Sequence, residues 1–314
     1  SVVRLGDTLD AERVVYGWFE TGDQQEGAAD GDTFLSLTVR VLDLAGLRLS
    51  EAVTAAGRLQ DLDEIQNDAA WQTLRLLLGA AAAPAEERWK AGRRRVRLDA
   101  LENYVRALLA TSSEQKHRLL TQAARLDEGF IPPRFELGRL FMAEKNYRVA
   151  AGWLEQVTPD SPYFAEASFL LGLCRCGMGE YEKAESSFRM VAAIVPLNEV
   201  WNNLGAAQLH RSPAEAVESL RKALEGDPND PDYRFNLGYA LWKAGEFDKA
   251  ADAFRSTLDL TPEDPEAILM LGPCLKKTAP QSAEMMIEGL ERIKTNFEGL
   301  AYRQLQAALD VKAN

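Results

Sequence analysis

The chain has 314 residues, of which 46% are hydrophobic and 27% charged, with a formal net charge of −12. Such a composition suits a globular protein with a large core or two domains, and its acidity argues against general binding to nucleic acid or anionic membrane. Three cysteines are too few, and odd in number, for a disulfide framework, and no apolar run reaches the roughly 18 residues of a membrane-crossing helix.

Residues 1–79 read as a small α+β unit. "RVVYGWFE" and "TFLSLTVRVLDL" are rich in β-branched and aromatic residues and predict two strands, with the acidic, glycine-rich "TGDQQEGAADGD" as a hairpin loop between them. "LRLSEAVTAAGRL" predicts a third strand, and "DLDEIQNDAAWQTLRLLL" an amphipathic helix opened by Asp61 or Asp63. The simplest assembly is an antiparallel sheet with a helix packed on it.

On "AERVVYGWFE", "VRVLDL" and "DEIQNDAAW" this segment resembles the C-terminal half of the TolB-like amino-terminal domain of bacterial proteins. The resemblance covers about a quarter of the chain and implies a bacterial origin, with the periplasm or cell envelope favoured over the cytoplasm. It also implies that the domain's first strands and helix would precede Ser1; without them the sheet keeps an open edge that another chain, or a second copy, could cover.

Residues 80–97 read as a linker or connecting helix. Lys90, Arg93, Arg94, Arg95 and Arg97 form a dense basic cluster, expected to pair with the acidic bulk of the same protein, the alternative being a phosphate or acidic-partner contact.

From 98 to 314 the chain repeats itself. Gly138, Gly172, Gly205, Gly238 and Gly272 each follow a leucine, at spacings of 34, 33, 33 and 34 residues. Twelve residues after Gly138, Gly172 and Gly238 stand Ala150, Ala184 and Ala250, then Leu154, Phe188 and Phe254 four further on; the fourth unit has a turn one residue shorter, giving Ala216 and Leu220. Prolines at 162, 196, 228 and 262 end the units. Small residues let the two helices of a pair approach, and the large ones fill the gap to the next pair.

This pattern resembles the tetratricopeptide repeat and predicts a mainly α, right-handed solenoid of five to six helix pairs plus a terminal helix. Tyr104, Leu120 and Ala123 fall in a degenerate first pair, and the stretch after Pro273 reads as an irregular last pair and a closing helix. With the N-terminal segment, the whole is similar to bacterial chains that join a TolB-like domain to such repeats.

No catalytic constellation is legible. His117 and His210 lie on different repeats without metal-ligand partners, and Cys174 and Cys176 read as buried thiols. "CGMGEY" is a helix-to-helix turn and not a phosphate loop. The carboxylates of "DPNDPD" and "TPEDPE" read as inter-repeat turns. Neither a cofactor nor a metal is expected.

What the repeats offer is a groove lined by the first helix of each pair. Its candidate residues are Phe135 and Arg139, Phe169 and Leu173, Asn202 and Asn203, then Phe235, Asn236, Tyr239, Trp242 and Lys243, and finally Lys276 and Lys277. Asn203 and Asn236 could present amides to an extended peptide backbone, as the tetratricopeptide resemblance implies, or merely tie helices together. The aromatics Phe235, Tyr239 and Trp242 could face a partner or pack one repeat on the next. The resulting expectation is a non-catalytic scaffold with a protein or peptide in the concave groove. A second copy could also join at the open sheet edge or the terminal helix. The alternative is a regulatory module of a larger signalling protein whose groove binds a neighbouring domain.

Overall fold

The computed structural model describes residues 11–22, 33–79, 82, 83, 85–91, 94–278, 292–299 and 302. The chain divides into two compact units, residues 1–105 and 106–314.

In the first unit β1 (Arg13–Gly22), β2 (Phe34–Asp43), β3 (Arg48–Leu49) and β4 (Val53–Arg58) form an antiparallel sheet. β2 is central: it pairs with β1 from Arg13↔Asp43 to Gly22↔Phe34, and with β4 from Phe34↔Arg58 to Val39↔Val53. The single strand expected over 47–59 is thus two strands, β3 and β4. The predicted hairpin loop lies, apart from Thr21 and Gly22, outside the described residues. Alternate residues of β2 turn Leu35, Leu37 and Val39 to one face. There they pack with Ala55 of β4 and with Leu62, Ile65 and Ala69 of α1 (Leu62–Leu78). β1 exposes Val15, Trp18 and Phe19.

The helix α2 (Glu86–Ala91) is tied to α1 by Trp89 Nε1, which donates to the Asn67 carbonyl at 3.2 Å. Arg95 meets Asp61, Asp63 and Glu64, and Arg97 meets Asp99. These two members of the basic cluster are engaged by acids of their own chain. Arg93 and the side chain of Lys90 lie outside the described residues.

Then come α3 (Leu98–Leu109) and α4 (Ser113–Leu126), in the place of the degenerate first pair, with Leu120 and Ala123 buried. Four regular pairs follow. They are α5 (Pro132–Ala143) with α6 (Tyr147–Leu154), α7 (Phe164–Gly177) with α8 (Tyr181–Ile194), α9 (Asn198–Gln208) with α10 (Pro213–Gly226), and α11 (Pro231–Lys243) with α12 (Phe247–Leu260). A last first-helix, α13 (Pro265–Leu275), closes the described array and runs through Pro273.

The glycine period has a steric cause. A Cβ on Gly138 would lie 2.5 Å from Leu154, on Gly172 2.5 Å from Phe188, on Gly205 2.5 Å from Leu220, and on Gly238 3.0 Å from Phe254. Each glycine therefore admits the large residue of its own second helix, and that residue is buried. The fifth, Gly272, meets nothing within 4 Å among the described residues. First helices of successive pairs (α5, α7, α9, α11 and α13) touch one another more closely than second helices do, which puts them on the inner, concave side.

Of the terminal stretch expected to form an irregular pair and a final helix, 279–291, 300, 301 and 303–314 lie outside the described residues. Residues 293–298 are not helical. They cross the inner face of the array instead, because their side chains find acidic and apolar partners there.

Candidate functional site

The inner face is built around amides on α9 and α11. Asn202, Asn203 and Asn236 are fully buried. Asn236 Nδ2 donates to Asn202 Oδ1 at 2.9 Å, and Asn202 Nδ2 to Asn203 Oδ1 at 3.3 Å, so the three form a chain across two repeats. Its free end is Asn203, whose Nδ2 donates to the Lys294 carbonyl at 2.8 Å and whose Oδ1 accepts from the Lys294 N–H at 3.1 Å. Asn202 Nδ2 also reaches the Arg292 carbonyl, at 3.5 Å. One asparagine thus holds both polar groups of a single residue's backbone, which a helical segment, with those groups already bonded, could not offer.

Two acidic pairs flank the amides at a 34-residue interval. Asp230 and Asp264 are the N-caps of α11 and α13. Asp230 accepts from the N–H groups of Asp232 and Tyr233, and Asp264 from those of Glu266 and Ala267. The sequence reading of these residues as turn chemistry is correct but incomplete. Asp264 also takes the Arg292 guanidinium at 2.7 Å, while Glu266 takes it at 2.8 Å and Asp232 at 3.4 Å. Asp232 and Asp230 take the Lys294 ammonium at 2.5 and 3.2 Å.

The Arg292 side chain is only 11% exposed and Asp264 8%, so these charges are largely withdrawn from water and need one another. Burial pulls the Arg292 and Lys294 pKa values down, but their carboxylate partners outweigh it and hold both above their ordinary values. Burial likewise pushes Asp264 up, and Arg292 together with the N–H groups of Ala267 and Glu266 more than reverses it.

Apolar contacts complete the seat. The Arg292 guanidinium lies 3.7 Å from the Phe235 ring centroid, and Lys294 Nζ 5.8 Å from that of Tyr233. Phe297 meets Phe169 at 5.5 Å between centroids, and Ile293, Phe297 and Tyr302 pack on the core of the middle repeats. Thr295, Asn296 and Phe297 share a cleft with Arg139, Met142, Glu166 and Leu170. One neighbour is adverse: the carboxyl of Glu298 acts on that of Glu199 at the start of α9. Burial first, and Glu298 next, push Glu199 up to about 7, with Asp230 adding to the repulsion.

The candidate residues divide by place. Asn202, Asn203, Phe235 and Phe169 touch the 292–298 segment, and Arg139 lines its cleft. Asn236 is one bond removed, and its Oδ1, although buried, has no partner among the described residues. Phe135 is buried, stacked on Tyr163 and overlain by Arg139; Leu173 belongs to the same core. Tyr239 and Trp242 are buried in the core of the last repeats, with Trp242 Nε1 donating to Thr278, so these two aromatics serve packing between repeats. Lys243 lies over Tyr239, Lys277 pairs with Asp248, and Lys276 is exposed. Asp230, Asp232, Asp264 and Glu266 were missed as site residues; their signal was the repetition of Asp-Pro-acid after 34 residues.

Among the described residues no group of three His, Cys, Asp or Glu could hold a metal, and no helix is long and apolar enough to cross a membrane. The thiols of Cys174 and Cys176 are pushed up to about 12 and that of Cys274 to about 11 by burial, which keeps them unreactive.

Residues 201–265 match the tetratricopeptide repeat family model. With the helix pairs above, this makes the array a tetratricopeptide-like solenoid. Among curated proteins, the chain is 31% identical over 140 residues to the protein CTR9 homolog of Arabidopsis thaliana, and 29% identical over 149 residues to the peroxisomal targeting signal receptor of Kluyveromyces lactis. These matches cover 43% and 47% of this chain but only 12% and 25% of the two relatives. Among solved structures, MamA residues 41–end from Desulfovibrio magneticus RS-1 is 22% identical with a TM-score of 0.49, covering 54% of this chain and 99% of that one. YrrB, described as a TPR protein with an unusual peptide-binding site, is 18% identical with a TM-score of 0.44, covering 60% and 97%.

Proposed function

We propose that this protein is a non-catalytic interaction scaffold that holds an extended segment of a protein partner across the inner face of its helix pairs. The observation that supports the reading is the two-way bond between the Asn203 amide and the Lys294 backbone. Such a contact takes hold of a main chain whatever its side chains, as strand-like peptide recognition does. The residues assigned to binding are Asn202, Asn203 and Phe235, with Phe169 and Arg139 at the far end and the four carboxylates beside them.

A peptide-display selection on the full chain, counter-selected with Asn203→Ala, tests this. Peptides that bind the unaltered chain and not the variant support the groove. Peptides held equally by both place the interaction elsewhere. The N-terminal unit, whose TolB-like resemblance favours the bacterial envelope, is proposed as a second docking surface through the exposed Val15, Trp18 and Phe19 of β1. A Phe19→Glu chain that retains every partner would count against that part.

A further inference from the structure

Residues 292–298 occupy the groove in the manner of a ligand: gripped through the backbone, with Arg292 and Lys294 in acidic seats and Phe297 on an aromatic one. Resting on the groove reading above, we infer that this segment is an internal competitor, and that the partner is a protein segment of the form Arg-x-Lys-x-x-Phe that binds by displacing it.

Three observations carry this. The seats are spaced for that pattern. Adjacent carboxylate pairs on α11 and α13 receive two basic residues set two apart, as alternate side chains of an extended chain are, while Phe169 lies where the aromatic three further on falls. Charge is in surplus as well: among the described residues, the four carboxylates of Asp230, Asp232, Asp264 and Glu266 pair with two cations, Arg292 and Lys294. A basic segment from outside is therefore attracted even while the internal one is in place.

The third observation is the fault in the internal ligand. Glu298 stands against Glu199, with Asp230 near, so two carboxyls must share a proton or repel. A partner with an uncharged residue at that position makes the same contacts without the penalty. The segment has the advantage of being tethered, and the partner that of a better fit. Displacement needs such a balance: a tethered ligand without fault would close the groove permanently.

Fluorescence anisotropy on the full chain tests the inference. The probe is labelled ERIKTNFEG, residues 291–299, and the controls are EEIETNFEG and ERIKTNFQG. The unaltered chain is compared with an opened chain, Arg292→Glu/Lys294→Glu, and with a Glu298→Gln chain, each first shown by circular dichroism to be folded. The expected result is probe binding about tenfold tighter to the opened chain than to the unaltered one. Binding to the Glu298→Gln chain, whose own segment now fits better, is expected to be weaker still. EEIETNFEG should fail and ERIKTNFQG exceed the probe.

Equal binding to opened and unaltered chains overturns the internal competition but leaves the groove standing, provided Asn203→Ala in the opened chain weakens the probe about tenfold. A probe that EEIETNFEG matches overturns the basic ligand class. Binding indifferent to Asn203→Ala overturns the groove itself. Light scattering that shows a dimer abolished by Arg292→Glu assigns the segment to exchange between two copies and overturns the partner. Should the opened chain not fold, the Glu298→Gln chain decides: unchanged probe affinity there refutes the inference.

Discussion

Asn203→Ala gives the most direct measure of how firmly the groove holds its segment. The substitution removes two hydrogen bonds, at 2.8 and 3.1 Å, between a fully buried amide and the Lys294 backbone. Each is worth about 1 kcal/mol net, so the docked segment loses about 2 kcal/mol against the released one. The array loses only the Asn202–Asn203 contact at 3.3 Å. At 25 °C, about 2 kcal/mol multiplies the released population about thirtyfold. Trypsin reads that population, because its bonds after Arg292 and Lys294 lie inside the docked segment, and cleavage follows the open fraction when opening and closing are fast. The expected result is a rise of about ten- to thirtyfold in the initial rate at these two bonds by mass spectrometry, with cleavage after exposed Arg221 unchanged. No change at the two bonds would mean that Asn203 does not hold the segment, and the account of the site would fall. An equal rise at every site would mean that the array itself had loosened.

The carboxyl pair makes docking depend on pH. Glu199 is raised in the docked state from its ordinary 4.5 to about 7, so the advantage of the protonated pair is full below about pH 4.5 and is lost as the pH rises through about 7. Asp264, held below its ordinary value, stays ionised over that range. Segment cleavage, normalised to that of free ERIKTNFEG, should therefore rise between about pH 5 and pH 7.5, and in the Glu298→Gln chain the rise should be largely absent. In the repeat core, Phe188→Ala should cost about 3–5 kcal/mol in denaturant unfolding, since Phe188 is fully buried against Gly172. Gly172→Ala should cost about 1–3 kcal/mol by overpacking the same contact, and the two together should cost less than their sum, which a double-mutant cycle reads. Gly245, at φ +82 in the α11–α12 turn, should lose about 1 kcal/mol as Ala, measured by thermal unfolding.

The solenoid was legible because its period has a local cause: in the four regular pairs each Leu-Gly sits against one large residue fifteen or sixteen positions on, and both partners lie in the same pair. Asn203 and Asn236 were placed on the inner face by the same register. What the sequence could not separate was their use. Asn203 grips a backbone, while Asn236 bonds a neighbouring amide, a difference set by what lies opposite and not by their repeat positions. The 292–298 segment was out of reach because its hydrogen-bond partners are 26 to 91 residues away, and helical periodicity says nothing about such contacts. The doubled strand over 47–59 turns on Ser50, whose hydroxyl accepts from the Val41 N–H at 2.9 Å and so breaks the ladder between β3 and β4.

On the proposed reading the groove would divide recognition between two kinds of group. Asn203 would read main chain and accept many sequences; the four carboxylates would read side chains and reject acidic ones. Asp230 and Asp264 do this while capping helices, so neither can be replaced without cost to α11 or α13, about 1 kcal/mol for a lost cap. Asp232 and Glu266 cap nothing and meet the segment from within the first turn. Specificity can therefore be altered through those two while the fold is left alone. A chain carrying Asp232→Lys/Glu266→Lys should stay folded by circular dichroism, release Arg292 and Lys294, and favour EEIETNFEG over ERIKTNFEG. If its preference stays with the basic peptide, the carboxylates are helix ends only, and the backbone grip of Asn203 is all that the groove recognises.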